Sequence, residues 1–236
     1  MKIALVADLH GNMTAVSRLE KDLNRRQPDK IWCLGDLVGK GPSSHNTFDW
    51  AAKNCECIIK GNWDEGVGNK QFNNDVFYHE QLGPRRLEML RNYPTEKSIL
   101  LSGRRIRLMH GRPVMSTLQF IHDDECLWAP FFLPDWDVVG YADCHRQGLR
   151  TLDCGLVFNT GSVGNSLGLT NIQYVIMEGE ENDPSAPLDF TLVNLPYDRE
   201  AAAEETRLQT GLRHPEAFIE EIMTGKYSRH LKGGLI

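Results

Sequence analysis

Polar side chains that directly follow a short apolar run are the feature that most constrains this chain of 236 residues. Residues 1–7 are almost wholly apolar and include the β-branched Ile3 and Val6, so they predict a buried strand rather than a helix. Asp8 and His10 follow at once. Two residues apart in a strand, their side chains leave on the same side, at the edge where open α/β sheets bind ligands. A carboxylate beside an imidazole predicts a pair of ligands for a divalent transition metal.

The composition favours an ordinary globular protein with a packed core, because 41% of the residues are hydrophobic and 25% are charged. The formal net charge of −6 argues against nucleic acid or an anionic membrane surface as the partner, since both require a basic footprint. A small anionic substrate remains compatible, because bound cations reverse the local field. No apolar run approaches the roughly 20 residues that span a bilayer, so no membrane partner is expected.

The six cysteines are read as free thiols in a reducing compartment. No signal peptide is recognisable at the amino terminus, because Asp8 interrupts an apolar run that is already short. We therefore expect a cytoplasmic protein. Cys55 and Cys57 lie one residue apart, which is not the usual spacing of a zinc site, so we interpret them as the entry to a strand.

An alternation of apolar strand, polar loop and amphipathic helix runs through the first third of the chain. Helices are predicted over about 13–26, 46–53 and 81–91, and strands over 31–34 and 57–59. In the first helix Val16 and Leu19 mark the buried face, and Asp22 is assigned to the solvent face. Strands that alternate with helices predict a parallel sheet with helical crossovers, in which each strand delivers polar side chains to the same edge.

The later half of the chain has a different pattern, typical of antiparallel strands followed by helices. A hairpin is predicted over 98–109, further strands over 137–141 and 156–159, and a closing antiparallel pair over 172–177 and 188–193. Two helices are predicted over 198–229, and they either pack on the body or mediate dimerisation. We expect one domain over 1–236, with a core over about 1–195 and a helical extension over about 196–236. The pattern alone gives an α/β fold class with an antiparallel later half.

Seven polar residues that end predicted strands share one property, since all offer oxygen or nitrogen donors and none is a cysteine. They are Asp8, His10, Asp36, Asn62, His110, Asp143 and His145. This is the donor set of a two-metal hydrolytic centre, in which the metals lie about 3.5–4 Å apart and share a carboxylate. Asp36, in a glycine-rich loop, is the candidate for that shared carboxylate.

Five short motifs carry a family resemblance. They are Asp8-Leu9-His10, Gly35-Asp36, Gly61-Asn62-Trp63-Asp64, His110-Gly111 and Cys144-His145. In order and spacing they resemble the motifs of calcineurin-like metallophosphoesterases, and the resemblance spans about residues 1–195. The turn at 159–164, Asn-Thr-Gly-Ser-Val-Gly, is similar to the family's Asn-Pro-Gly-Ser-Val-Gly. Within the family the chain most resembles a small bacterial branch of phosphodiesterases and diadenosine tetraphosphate hydrolases.

The resemblance implies a fold of two facing mixed β-sheets flanked by helices, a four-layer sandwich, with a C-terminal helical appendage. It implies two divalent metal ions, with manganese or iron favoured over zinc, magnesium or nickel. The implied ligands are Asp8, His10 and His145 for one metal and Asn62 and His110 for the other, with Asp36 bridging. Asp36, Asn62 and Asp64 are implied to be catalytic, and Asn12 to bind substrate.

The chain departs from the family pattern at two positions. Asp143 replaces the first histidine of Gly-His-x-His. Its carboxylate either serves as a harder ligand, which favours manganese, magnesium or iron, or points away and leaves the second metal weakly held. Trp63 stands where many members carry the histidine proposed to protonate the leaving group, and an indole only donates a hydrogen bond. Trp63 therefore either stacks on a substrate ring or packs under its loop.

The function that the resemblance implies is hydrolysis of a phosphodiester or phosphoanhydride in a small nucleotide-like substrate, such as diadenosine tetraphosphate, by a hydroxide that bridges two metals. Trp63, Arg112 and Arg146 are the candidate substrate-binding residues, and Lys40 is a further candidate for phosphate contact. Two alternatives stay open. One is a phosphomonoesterase, and the other is a catalytically weak metal-binding scaffold that acts through a partner, including a homo-oligomer formed through the C-terminal helices.

Overall fold

The computed structural model describes residues 1–72 and 75–228, and within them the strands form two five-stranded sheets. The strands are β1 Lys2–Val6, β2 Lys30–Cys33, β3 Cys57–Ile58, β4 Glu96–Leu101, β5 Arg104–Met109, β6 Val138–Tyr141, β7 Gly148–Leu152, β8 Gly155–Asn159, β9 Ile172–Glu178 and β10 Asp189–Leu195. The helices are α1 Met13–Arg26, α2 Ser44–Asn54, α3 Asn62–Gly68, α4 Val76–Asn92, α5 Glu125–Trp128, α6 Arg199–Arg207 and α7 Pro215–Thr224, with a short 3-10 helix at Ala129–Phe132.

The first sheet has the strand order β10-β9-β1-β2-β3. Strands β1, β2 and β3 run parallel, and α1 and α2 connect them, so the predicted parallel unit with helical crossovers is confirmed. Strand β9 returns antiparallel beside β1 and pairs with β10, which confirms the predicted closing pair.

The second sheet has the order β4-β5-β6-β8-β7, and it corrects the antiparallel later half that the pattern alone predicts. Its central strands β5, β6 and β8 run parallel, and only the edge strands β4 and β7 are antiparallel to their neighbours. Strand β7 was not predicted. Its burial alternates from residue to residue, and Arg150 interrupts the apolar pattern that a buried strand would show.

Buried apolar side chains form three layers, one between the two sheets and one on the outer face of each sheet. Between the sheets lie side chains from both, among them Leu5 and Val175 from the first and Leu108 and Phe158 from the second. The outer face of the first sheet is covered by α1, α2 and α4. The outer face of the second sheet is covered by the segment that contains Trp128. This arrangement confirms the expected fold of two facing mixed sheets flanked by helices.

The C-terminal helices pack on the body of the molecule. Glu205 of α6 accepts hydrogen bonds from Thr14 Oγ1 at 3.1 Å and from Ser43 Oγ at 2.5 Å. The ring of Phe218 in α7 lies directly against Gly41, where an added Cβ would stand 2.9 Å from the ring. The predicted helix pair is thus present, and the final residues of the predicted extension, 229–236, lie outside the described residues. No helix in the described ranges is long and apolar enough to cross a bilayer.

Asp22 in α1 is buried, contrary to its assignment to the solvent face. Tyr174 of β9 donates its hydroxyl to Asp22 Oδ2 at 2.7 Å, and Arg26 Nε donates to the same oxygen at 2.7 Å. Arg25 donates to Oδ1 at 2.8 Å. Burial raises the pKa of Asp22, but the hydrogen bonds from Tyr174 and the two arginines outweigh it and lower that pKa to about 2. This carboxylate therefore fastens α1 to the first sheet.

Replacing Asp22 with asparagine should lower the free energy of unfolding by about 2 kcal/mol at pH 7. Because the pKa is lower in the folded state, the carboxylate stabilises the fold above about pH 4, and this contribution is lost as the pH falls through about 2. Urea unfolding at pH 7 and at pH 3 measures the difference, which should shrink at the lower pH. Glu20→Gln in the same helix is the matched control, and an equal loss at both pH values would contradict the assignment.

Candidate metal centre

Every residue of the predicted donor set follows the carboxyl end of a strand, and both sheets present these ends to one edge. Asp8 and His10 follow β1, Asp36 follows β2, Asn62 follows β3, His110 follows β5, and Asp143 and His145 follow β6. Since all of the donor strands within each sheet run parallel, the loops gather at one edge of the sandwich. The predicted delivery of polar side chains to a common edge is confirmed.

The reason why Asp8 and His10 converge differs from the one expected. Strand β1 ends at Val6, so the pleat does not set the direction of either side chain. Both residues instead lie in the left-handed region, with φ of 55° for Asp8 and 45° for His10. Four other residues of the site loops share this conformation: Asp36, Lys40, Asp143 and His145. Such backbone costs of order 1 kcal/mol or more per residue, so the surroundings must impose it.

The turn at 159–164 imposes that conformation on the first loop. The carbonyl oxygen of Asp8 accepts hydrogen bonds from Ser162 Oγ at 3.0 Å and from the backbone N–H of Gly164 at 2.8 Å. Gly164 has no room for a side chain, because a Cβ there would lie 2.0 Å from the carbonyl oxygen of Leu9. The roles of Ser162 and Gly164 were missed, although the likeness of this turn to the family's motif was the available signal.

The three histidines of the site are each oriented by a hydrogen bond to a backbone carbonyl. Their Nδ1 atoms face backbone carbonyls, at 3.2 Å from Val38 for His10, 2.7 Å from Leu34 for His110 and 2.5 Å from Asn165 for His145. An Nδ1–H that donates to a carbonyl fixes the tautomer and leaves the Nε2 lone pair for a metal.

Asn165, whose carbonyl orients His145, is itself fixed by a helix far along the chain. Its side-chain Nδ2 donates to Glu221 Oε2 at 3.0 Å, and Glu221 lies fully buried in α7. Helix α7 therefore supports the orientation of a predicted ligand.

The inward-facing atoms form two overlapping groups. Asp8, His10 and His145 form the first, with Nε2 of His145 lying 3.2 Å from Asp8 Oδ1 and 3.1 Å from Nε2 of His10. Asp8, Asp36 and His110 form the second, with Nε2 of His110 lying 3.4 Å from Asp36 Oδ2 and 3.9 Å from Asp8 Oδ1. All of these side chains are buried, so neither group is a chance cluster of surface charges.

The charge and bonding of the cluster fit divalent cations. Both carboxylate oxygens of Asp8 are buried and accept no hydrogen bond from the described residues. Burial lowers the pKa of His110, but Asp36 and the other nearby carboxylates outweigh it and raise that pKa to about 10. The carboxylates therefore favour positive charge in their midst, as a proton or a metal ion. Burial and the nearby Lys40 lower the pKa of His10 to about 4, which keeps that imidazole neutral and able to ligate.

Asp36 is held so that a single oxygen faces the centre. Its Oδ1 accepts the backbone N–H of Trp63 at 2.8 Å. Its Oδ2 lies 3.5 Å from Nε2 of His10 and 3.4 Å from Nε2 of His110, between the two groups. Asp36 Oδ2 therefore faces a histidine of each group.

Asp64, predicted to be catalytic, lies behind Asp36. Its carboxylate is fully buried and accepts the backbone N–H groups of Asp36 at 2.8 Å, Leu37 at 2.9 Å and Gly61 at 3.0 Å. Burial, followed by the charge of Asp36, raises the pKa of Asp64 to about 7. With its oxygens committed to backbone groups, Asp64 fastens the loop after β2 to the loop after β3.

Asn62 reaches the second group, whereas Asp143 meets it only at its margin. Asn62 Oδ1 lies 3.2 Å from Nε2 of His110, and Asp143 Oδ1 lies 4.0 Å from the same nitrogen. Arg112 holds both oxygens of Asp143, with Nη2 at 2.7 Å from Oδ1 and Nε at 2.8 Å from Oδ2. Asp143 therefore shares its carboxylate with an arginine, and Arg112 is committed to this ion pair.

Two other predicted substrate-binding residues, Asn12 and Arg146, have different surroundings. Asn12 caps α1 by accepting the Ala15 N–H at 3.1 Å and donates to the Gly164 carbonyl at 2.8 Å, so its amide serves the fold. Arg146 is exposed, with its guanidinium 5.9 Å from the centre of the Phe120 ring.

Trp63 packs beside the cluster and is only partly buried. Its ring meets that of His10 edge-on at 5.9 Å and lies 5.1 Å from the ring of Phe72. Gly39 leaves room for it, because a Cβ at that position would overlap the indole at 2.2 Å. Both interpretations of Trp63 therefore keep support, since it packs on its loop and also borders the site.

A sequence profile described as the calcineurin-like phosphoesterase superfamily domain matches residues 1–182. An uncharacterized protein of Methanocaldococcus jannaschii is 24% identical over 95% of this chain and 98% of its own length. A metallophosphoesterase from Sphaerobacter thermophilus superposes with a TM-score of 0.77 at 20% identity, over 96% of this chain and 99% of its own. A hypothetical protein from Pyrococcus horikoshii gives a TM-score of 0.78 at 18% identity, over the same shares.

Two further structures are less similar but share the fold, and the proteins they belong to are described differently. A novel archaeal phosphodiesterase has a TM-score of 0.50 at 17% identity, over 83% of this chain and all of its own. Vps29 from Entamoeba histolytica, complexed with zinc, has a TM-score of 0.53 at 17% identity, over 81% of this chain and 99% of its own. At these identities the likeness establishes the fold alone.

Manganese at about 100 times its dissociation constant should raise the melting temperature by roughly 5–10 °C, because it binds the folded chain selectively. Asp8→Asn should abolish this rise without lowering the melting temperature measured in a metal chelator, since the two carboxylate oxygens of Asp8 accept no hydrogen bond from the described part of the chain. Calorimetry with and without metal measures both effects. Asp153→Asn, an exposed carboxylate, is the control and should keep the rise. A full rise in Asp8→Asn would contradict the centre.

Proposed function

The chain belongs to the calcineurin-like phosphoesterase superfamily, and from this premise we propose that it is a metal-dependent hydrolase of a phosphodiester or phosphoanhydride in a small nucleotide-like substrate. The observation that carries the proposal is the Asp8 carboxylate, which is buried, accepts no hydrogen bond within residues 1–72 and 75–228, and faces the Nε2 atoms of histidines. Such a carboxylate is costly to bury without a compensating cation.

The residues proposed to hold two divalent cations are those of the two groups together with Asn62. Asp8, His10 and His145 would hold one, His110 and Asn62 the other, and Asp36 Oδ2 would be shared. The bound cations supply Lewis acidity, which acidifies water and neutralises the charge of a phosphoryl group. Manganese or iron suits this mixture of carboxylates and imidazoles.

The chain's own side chains contribute orientation and charge. The Nδ1–carbonyl hydrogen bonds hold the imidazoles in place, and Asp64 holds the loops that carry Asp36 and Asn62. Asn62 also has an amide N–H₂ group that can donate to a phosphoryl oxygen, while its Oδ1 faces His110. We assign Asp64 a positioning role in place of the direct catalytic role implied by the resemblance, because its oxygens are committed to backbone N–H groups.

A good leaving group fits this site best. Trp63 borders the site and cannot transfer a proton at neutral pH, so a leaving nucleotide or phosphate needs less assistance than an alkoxide would. The partly buried indole is also a ring type on which a nucleobase could stack. These two properties support a nucleotide phosphoanhydride most directly, because the leaving group of an alkyl diester or monoester is an alkoxide.

A metal-binding scaffold that acts through partners remains the second candidate. The observation that favours it is the Arg112–Asp143 ion pair, which competes with a metal for a predicted ligand. The fold shared with the zinc complex of Vps29 is compatible with such a role. The two candidates differ in turnover, which the following experiment measures.

The manganese-loaded protein should hydrolyse bis-p-nitrophenyl phosphate and diadenosine tetraphosphate faster than p-nitrophenyl phosphate. Asp36→Asn should lose more than about a hundredfold in kcat/KM, because it removes the proposed shared carboxylate. Asp153→Asn is the control and should match the wild type. No turnover of the three substrates with manganese or iron would favour the scaffold, and a preference for p-nitrophenyl phosphate would favour a phosphomonoesterase.

The two metal sites should differ in affinity, because Asp143 is shared with Arg112. Calorimetric titration with manganese should resolve two binding steps. Arg112→Met frees the carboxylate and should tighten the weaker step by about tenfold, whereas Asp143→Asn should weaken that step by a similar factor. Two equal steps that neither substitution alters would show that Asp143 takes no part in metal binding.

A further inference from the structure

We propose that Arg112 and Asp143 act together as a substrate-binding pair, in which the Asp143 carboxylate orients the Arg112 guanidinium and the edge that this ion pair leaves unused binds a phosphoryl oxygen. The inference rests on the proposed function and adds to it a substrate contact, Arg112, and its positioning residue, Asp143. It gives a role to the carboxylate that this chain carries where the family pattern has a histidine.

Asp143 holds both the backbone and the side chain of Arg112. Its Oδ2 accepts hydrogen bonds from the backbone N–H of Arg112 at 3.0 Å and from the side-chain Nε at 2.8 Å, and its Oδ1 accepts from Nη2 at 2.7 Å. The carboxylate is buried, with 7% of the residue exposed. Charge-assisted bonds to both oxygens of one carboxylate fix the plane of a guanidinium as well as its position.

The loops that carry the pair are fastened to each other. The N–H of Ala142 donates to the His110 carbonyl at 2.7 Å. Gly111 lies directly against Asp143, because a Cβ at Gly111 would stand 2.7 Å from the Cβ of Asp143. A larger residue at 111 would push the loops after β5 and β6 apart, so the glycine keeps Arg112 within reach of the carboxylate.

The ion pair borders the second group of candidate ligands. Asp143 Oδ1, the oxygen that accepts from Arg112 Nη2, also lies 4.0 Å from Nε2 of His110. The hydrogen bonds to Asp143, and more weakly the charge of Asp36, raise the pKa of Arg112, although burial opposes the rise. The guanidinium therefore places a permanent positive charge beside the side chains proposed to hold the second cation.

The contact with Asp143 uses only one edge of the guanidinium. A guanidinium carries five N–H donors in one plane, and the ion pair occupies Nε and one donor of Nη2. Within residues 1–72 and 75–228, Nη1 makes no hydrogen bond. The side chain of Arg112 is 38% exposed, so a ligand that enters from solvent can reach it.

A phosphoryl group has the chemistry that this edge recognises. Its nonbridging oxygens are anionic, and a guanidinium edge donates to such oxygens through charge-assisted hydrogen bonds, to one oxygen or to two at once. Negative charge spreads over these oxygens in the transition state, and a donor that is already oriented stabilises it without reorganisation. Asp143 thus serves the reaction by orienting that donor.

Binding of inorganic phosphate to the manganese-loaded protein tests the contact without requiring turnover. With enough manganese to fill both sites, Arg112→Met should weaken phosphate binding by about 10- to 100-fold in calorimetric titrations. Arg112→Lys keeps the charge but lacks the planar fork, so it should recover only part of the loss. Arg104→Met, an exposed arginine at the opposite end of β5 from His110, is the matched control and should bind phosphate like the wild type.

A double-mutant cycle tests the positioning role of Asp143. At the same saturating manganese, Asp143→Asn should weaken phosphate binding when Arg112 is present, because the guanidinium is then held less firmly. In the Arg112→Met background the same substitution should have no further effect, since no guanidinium remains to be oriented. An equal loss in both backgrounds would overturn the positioning role.

The contact itself is overturned if the wild type binds no phosphate, or if Arg112→Met binds phosphate within twofold of the wild type. A loss of manganese from Arg112→Met would also overturn it, because the arginine would then serve the structure of the centre. The same variants separate this inference from the proposed function. If the wild type hydrolyses nothing yet binds phosphate through Arg112, the hydrolase fails and the contact stands. If the wild type hydrolyses its substrates and Arg112→Met matches it in kcat/KM and phosphate affinity, the contact fails and the hydrolase stands.

Discussion

The carbonyl oxygen of Asp8 is the point on which the rest of the site depends. It accepts two hydrogen bonds from the turn after β8, a strand of the opposite sheet, and these bonds stabilise a left-handed backbone that neither Asp8 nor His10 would adopt readily alone. The side chains of both residues converge because that backbone is imposed. The centre is therefore a property of the contact between the two sheets, and neither sheet could form it by itself.

Burial then gives the cluster its chemistry. Carboxylates and imidazoles that would be ordinary surface groups in water lie together where water does not screen them, and so each strongly affects the protonation of the others. Nearby carboxylates, Asp36 above all, raise the pKa of His110 in spite of its burial, whereas burial and then the charge of Lys40 lower the pKa of His10. The site thus favours positive charge, while the imidazole of His10 stays neutral and able to ligate.

The sequence predicted which residues meet, and it was less informative about how they meet. Short apolar runs followed by polar residues identified the strand ends, because a parallel sheet gathers such ends at one edge. Periodicity could not reveal that β5, β6 and β8 are parallel, since their connections contain little helix. It also assigned Asp22 to solvent, because only the fold brings Tyr174 to it.

Side-chain partners were the least predictable part of the candidate site. The pairing of Asp143 with Arg112 depends on two loops whose separation along the chain says nothing about their contact. The same holds for the three backbone N–H groups that meet Asp64. Spacing shows that a polar residue ends a strand, and the loops that arrive from other strands decide whether it faces the centre or supports it.

The buried hydrogen bond between Glu221 and Asn165 makes the metal centre depend on a helix that is synthesised after all of the candidate ligands. The ribosome releases the chain from its amino end, so Asp8 through His145 emerge long before α7. Until α7 docks, the residue whose carbonyl orients His145 lacks the hydrogen bond that its side chain donates to Glu221. A nascent chain therefore carries all of the candidate ligands before α7 is made, and the support for the orientation of His145 is completed only when α7 docks.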